Sequence, residues 1–203
     1  MTHETHPLHP VKLTFSSIEK RDLLKAWLLS SLAFAIAFAG LGRGLIIALP
    51  LSLVTAGAGI LLHELAHKAV AQRFGYHAEF RSFDTMLMIS CVLAVLGFVF
   101  IAPGAVFFTG PHDARKSGII ALAGPLTNIF LALLFLPLVV LDLPQLIGAI
   151  ALYAFTINAW LGLFNLVPFM GLDGEKVLAW NPKVFWPSIV FAGALVFARF
   201  YFF

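Results

Sequence analysis

The chain has 203 residues, 61% of them hydrophobic and 11% charged, with a formal net charge of +3. Soluble domains carry roughly a quarter charged residues, so a water-soluble enzyme is excluded. Nucleic-acid binding is excluded too, because no basic block stands apart from the apolar runs.

Runs such as WLLSSLAFAIAFAG at 27–40 are continuous, whereas outer-membrane barrels alternate apolar and polar residues over ~10-residue segments. The whole chain, 1–203, therefore reads as one all-α polytopic membrane domain. Residues 1–21 form a polar tail opened by MTHETHPLHP; without an apolar face it is expected to be a disordered terminus rather than a metal site. A cleavable leader ending near AFAG at 37–40 is the lesser reading, since the polar lead before it is long. Apolar runs long enough to cross a bilayer, about 20 residues, lie at 22–41, 45–72, 119–141, 146–167 and 184–203.

A sixth run, 86–102, is at the lower limit and ends at Pro103-Gly104. If it crosses, lysines and arginines divide almost evenly between the two sides. If it enters and returns, every one of the thirteen except Arg43 and Arg199 falls on the side of the N-terminus. The bias of basic residues toward the cytoplasmic face favours the second arrangement. The expected fold is therefore five transmembrane helices plus a re-entrant segment at about 86–102, with the N-terminus cytoplasmic. Cys91, the single cysteine, excludes an internal disulfide and a cysteine-rich metal site and reads as a buried structural thiol.

Against this apolar background, GILLHELAHKAV at 59–70 places His63, Glu64 and His67 inside a span. Ionisable groups there cost about 2.5–3.5 kcal/mol each on insertion scales and mark function. Histidines four apart lie one turn above each other on a helix and can reach one tetrahedral zinc ion. Glu64 can then take a proton from a water that zinc activates and return it to the leaving amine. A catalytic zinc needs a third protein ligand. His77, His112, Asp113 and Asp142 lie near lipid boundaries or on the far side. Asp173, in NLVPFMGLDGEKVLAW, meets the histidines at similar depth only if 86–102 does not cross. A helix-capping or turn role before Gly174 is its other reading.

HELAH at 63–67, GPLTN at 124–128 and NLVPFMGLDG at 165–174 together resemble the three signatures of the site-2 protease family of intramembrane zinc metalloproteases (M50-type). The resemblance covers about 45–180, the expected catalytic core. It implies one zinc ion per chain held by His63, His67 and Asp173, with Glu64 as general base. It also implies transmembrane protein substrates cut near the cytosolic face, often releasing a membrane-tethered regulator. PGAVFF at 103–108 resembles the family's membrane-associated strand, which presents substrate by strand addition. The family likeness favours substrate or site positioning for Asn128 and Asn165 over helix–helix hydrogen bonding. Gly124-Pro125 is expected to open a helix, and Pro168 to bend the chain after Asn165.

Two departures stand out: Met170-Gly171 replaces a common proline, and 86–102 reads as an insertion at the substrate entrance. With one span after Asp173, a lateral gate is expected between the first and last helices. No sensor domain is recognised, so a minimal core enzyme of a prokaryotic cell membrane is expected. The alternatives are a metal-ion transporter, disfavoured by the lack of repeated halves, and an inactive relative that binds membrane partners.

Overall fold

A computed structural model describes residues 13–100, 102–111, 113–141 and 143–202. The histidines of the first ten residues, His112 and Asp142 lie outside the described residues. Helix α1 (Ser17–Ala39) is opened by Ser16, whose side chain accepts from the Glu19 amide, and closed at Gly40. After a turn come α2 (Leu45–Ser52), a π-helical turn at Leu53–Gly57 and α3 (Ala58–Arg73), together a 29-residue apolar helix. From α1, Trp27 Nε1 donates to the Leu53 carbonyl in this turn at 2.9 Å. In lipid such a carbonyl has no water to turn to.

The next segment decides the topology. Strand β1 (His77–Ser82) leads into α4 (Asp84–Val95), and the chain returns as β2 (Gly104–Thr109). The strands pair antiparallel from His77 with Thr109 to Ser82 with Gly104. The chain therefore leaves and re-enters the same sheet, and α4 with its return loop stays on one side. At about 1.5 Å per residue, the 12 residues of α4 reach about 18 Å, short of the ~30 Å hydrocarbon core. Lys25 Nζ grips both Asp84 oxygens at 2.7 Å, tying α4 to α1. That hydrogen bond, with a second from Ser82, holds the Asp84 carboxyl below the usual carboxylate range.

Helices α5 (Ala114–Val140) and α6 (Gln145–Asn165) form an antiparallel pair, followed by α7 (Asp173–Trp180) and α8 (Pro182–Phe202). Asp113 caps α5, accepting from the Arg115 and Lys116 amides. Helix α5 is central, packing against α3, α6 and α7. Buried small residues, among them Ala56, Ala132, Ala154 and Ala159, line the contacts, as expected where association relies on close packing. Large apolar side chains such as Ile46, Phe130, Val190 and Phe200 face outward. Among the described residues, five helices are long and apolar enough to cross a membrane.

The sequence reading needs correction at three points. The polar tail ends earlier than residue 21, because Ser17–Arg21 already belong to α1 and Glu19 is fully buried. The Gly124-Pro125 pair lies inside α5 rather than at its start. Cys91 is half-buried, its thiol directed at the Leu29 carbonyl.

Glu19 is the larger surprise. Both its oxygens accept from Lys68 Nζ at 2.6 Å, and Oε1 also accepts from the Phe80 amide at 2.9 Å. Lys68 donates further to the Ala78 carbonyl at 3.1 Å. One buried ion pair thus joins α1, α3 and β1. Removing a single partner from such a pair strands a buried charge and costs about 3–5 kcal/mol, whereas neutralising both costs far less. Thermal unfolding in detergent should show Lys68→Met as the more damaging change, and Glu19→Gln with Lys68→Met together as partial rescue. Additive losses would mean the two groups act separately.

Candidate metal centre and active site

His63 and His67 occupy consecutive turns of α3 and are 5% and 7% exposed. Their rings stand edge to face, 4.6 Å apart. Asp173, the first residue of α7, brings Oδ2 to 3.2 Å from His63 Nε2 and 3.1 Å from His67 Nε2.

The opposite face of each ring meets an acceptor. His63 Nδ1 lies 2.6 Å from Asn128 Oδ1, and His67 Nδ1 lies 2.7 Å from the Ile120 carbonyl. A carbonyl cannot donate, so each Nδ1 carries a proton, and Nε2, the nitrogen facing Asp173, is the one left to bind a metal. The Ile120 carbonyl sits one residue before Ala121, whose intrahelical donor is missing because Pro125 has no N–H. That disturbed turn of α5 is the part that accepts from His67.

The cluster could hold a metal ion. Ligands at about 2.0–2.1 Å around a tetrahedral zinc lie about 3.3 Å apart, close to the observed separations. Space is kept by Gly124 on α5. A Cβ there would lie 2.4 Å from His67 Nε2 and 2.5 Å from His63 Nε2, filling the hollow between the two nitrogens. Asp173 reaches the same point because the turn after α6 folds back tightly. Met170 and Gly171 adopt positive φ, 56° and 76°, and Gly174 packs where a Cβ would be 2.0 Å from the Leu166 carbonyl oxygen.

These groups open into a cavity of about 290 Å3 between α3, β2, α5 and the α6–α7 turn. Glu64 lines it and accepts no hydrogen bond among the described residues, while Gly104, Val106 and Phe108 of β2 form the facing wall. Lys176 also lines it. Of the two asparagines singled out from sequence, Asn165 lines the cavity and donates to the Leu161 carbonyl at 2.9 Å. Asn128 is fully buried behind the His63 ring, away from the cavity wall. Among the residues considered as third ligands, Asp113 caps α5, and His77 is exposed on β1.

Sequence reasoning missed the Ile120 carbonyl, the clearance at Gly124 and a second buried amide, Asn158. The proline after Gly124 was the available signal for the first two. A methyl at 124 tests the geometry: Gly124→Ala should lose bound zinc by metal analysis while eluting as a folded monodisperse protein, and full zinc occupancy would show that the hollow lies elsewhere.

Comparison with known proteins places the chain among relatives. It is 42% identical over 137 residues to the "Putative zinc metalloprotease MJ0611" of Methanocaldococcus jannaschii, covering 66% of this chain and 72% of that protein. It is 33% identical over 126 residues to the "Putative zinc metalloprotease Rip3" of Mycobacterium tuberculosis. That match covers 60% of this chain but only 28% of the mycobacterial protein. No family model and no solved structure matches. With three sequence signatures meeting around one candidate metal centre of a helical membrane domain, and with the Methanocaldococcus relative matched over most of its length, the chain belongs to the site-2 protease family of zinc metalloproteases.

Proposed function

We propose that this protein is an intramembrane endopeptidase that uses one zinc ion to hydrolyse a peptide bond within transmembrane segments of other membrane proteins. The cut falls near the cytosolic face, and the products include membrane-tethered regulators released by cleavage. The observation that carries the reading is the approach of Asp173 to within 3.2 Å of both His63 and His67 beside Glu64, in a cavity walled by a strand. The names of both relatives point to the same chemistry. The basic residues favour a cytoplasmic N-terminus in a multi-pass cell-membrane protein.

His63, His67 and Asp173 would hold the ion. When bound, it supplies Lewis-acid polarisation of the scissile carbonyl and lets water act as a nucleophile near neutral pH. Glu64 takes the proton of the attacking water and later gives it to the leaving amine, the general acid–base role of a carboxylate in reach of both. The Nδ1 partners Asn128 and Ile120 keep both imidazoles in one tautomer through the cycle.

A helical substrate hides its carbonyls in its own hydrogen bonds, so it must be extended before it can be cut. Strand β2 has one edge bonded to β1, and its residues line the cavity. Its other edge can pair with an extended peptide. Asn165, on the opposite wall, is placed to hydrogen-bond that backbone. The transporter reading finds less support, because Glu64 and a strand beside the site serve hydrolysis and neither is needed to pass an ion.

Two variants test this. Glu64→Gln should keep full zinc occupancy and lower cleavage of a membrane-tethered reporter by 10²-fold or more, on the order of a lost general base; undiminished cleavage would remove Glu64 from the chemistry. Asp173→Ala should reduce bound zinc well below one per chain, and unchanged stoichiometry would exclude that carboxylate as a ligand.

A further inference from the structure

Asn158 lies in the middle of α6 and is 1% exposed. An amide at such a position is costly in a membrane unless its polar atoms are matched. Here they are. Its Nδ2 donates to the Ala154 carbonyl one turn back at 2.9 Å, which turns Oδ1 toward α5 and α3. There Oδ1 accepts from Asn128 Nδ2 at 3.0 Å. The same Asn128 nitrogen donates to the Gly59 carbonyl at 3.2 Å, and Asn128 Oδ1 faces His63 Nδ1 at 2.6 Å.

We infer that Asn158 is a positioning residue of the metal centre, locking the Asn128 amide so that its oxygen accepts from His63 Nδ1 and Nε2 is the ring nitrogen turned to the metal. An amide has one accepting and one donating end. Rotated by half a turn, Asn128 would set its oxygen against two acceptors, Asn158 Oδ1 and the Gly59 carbonyl. Its NH2 group would then donate to His63 Nδ1, which moves the imidazole proton to Nε2 and removes the lone pair a metal requires. Gly59 alone is a weak lock, because its carbonyl also serves the α3 ladder four residues on, at His63. Asn158 supplies an acceptor engaged in no competing bond among the described residues. The relay crosses three helices, α6 to α5 to α3, and none of it touches substrate.

This inference rests on the metal-centre reading above, and the experiment separates the two. Zinc affinity is measured by competition with a chelator of known affinity in detergent-solubilised full-length protein. Asn158→Leu, which keeps volume and removes the acceptor, should weaken zinc binding about 10–100-fold, the usual range for a residue orienting a ligand. Asn158→Asp, whose buried neutral carboxyl still offers a carbonyl oxygen to Asn128, should stay within a few-fold of the native protein.

A second measurement compares the native protein with the variant. Nitrogen-15 spectra of the zinc-loaded native protein, with the His63 signals assigned by their loss in His63→Gln, should show a protonated Nδ1 with a slowly exchanging proton. In zinc-loaded Asn158→Leu that proton should exchange faster as the Asn128 amide loses its fixed orientation. A native Nδ1 without a proton, or unchanged affinity and exchange in folded Asn158→Leu, would overturn the relay while leaving the metal site standing. Failure of the native protein to bind zinc at all would overturn both.

Discussion

The contact between one carboxylate and two imidazoles constrains everything else in this protein. Asp173 Oδ2 lies 3.1–3.2 Å from two ring nitrogens on a different helix, more than a hundred residues away in sequence. In a membrane that contact is possible only if α3 and the start of α7 reach the same depth. The parity of crossings between them decides this. Helices α5 and α6 cross and return, so α4 cannot cross. The antiparallel pairing of β1 with β2 meets the requirement by starting and ending the excursion at one sheet.

The cost of carrying polar groups into an apolar interior is met in the same way at several places. Each is given a complete set of partners from neighbouring helices. The imidazoles have acceptors behind them, Glu19 and Lys68 satisfy one another together with two strand backbone groups, and Trp27 donates to the Leu53 carbonyl in the π-helical turn. Unmatched, any of these would be far more expensive than in a soluble protein, because lipid offers no substitute partner.

Helix α3 links the two largest of these sets. His67 and Lys68 are adjacent, so they point about 100° apart around the helix. One faces the cavity; the other faces α1 and β1. The ion pair of Lys68 therefore fixes the sheet to the helix that carries the imidazoles. Because β2 is bonded to β1, the distance from its unpaired edge to the centre follows from that anchor. The same economy recurs in α5, where Gly124 leaves the hollow and Ile120 and Asn128 on neighbouring turns orient the two rings around it.

Much of this was legible in the chain alone. Five spans, the excursion at 86–102, and His63, Glu64, His67 and Asp173 follow from runs of apolar residues, the placement of basic ones and three short signatures, and the strand after the excursion from the likeness of PGAVFF to a family segment. These are local or one-dimensional properties: hydropathy sets what can cross lipid, and a spacing of four sets two side chains on one helix face. Other features depended on contacts between distant segments. Strand β1 carries the charged sequence HAEFRS and shows itself as a strand only when β2 pairs with it. Glu19 looks like part of a polar tail until Lys68 buries it. Asn128 reads as a residue for substrate or site positioning, and its place behind His63 depends on how α5 leans on α3. Gly124-Pro125 resembles a helix start, yet α5 continues through it, packed against α3, α6 and α7. The sequence by itself thus determined which residues are costly to bury and which face of a helix they share. Only the tertiary structure decided what repays that cost, because hydrogen-bond partners in lipid must come from other helices, and their approach is set by packing rather than by any local pattern.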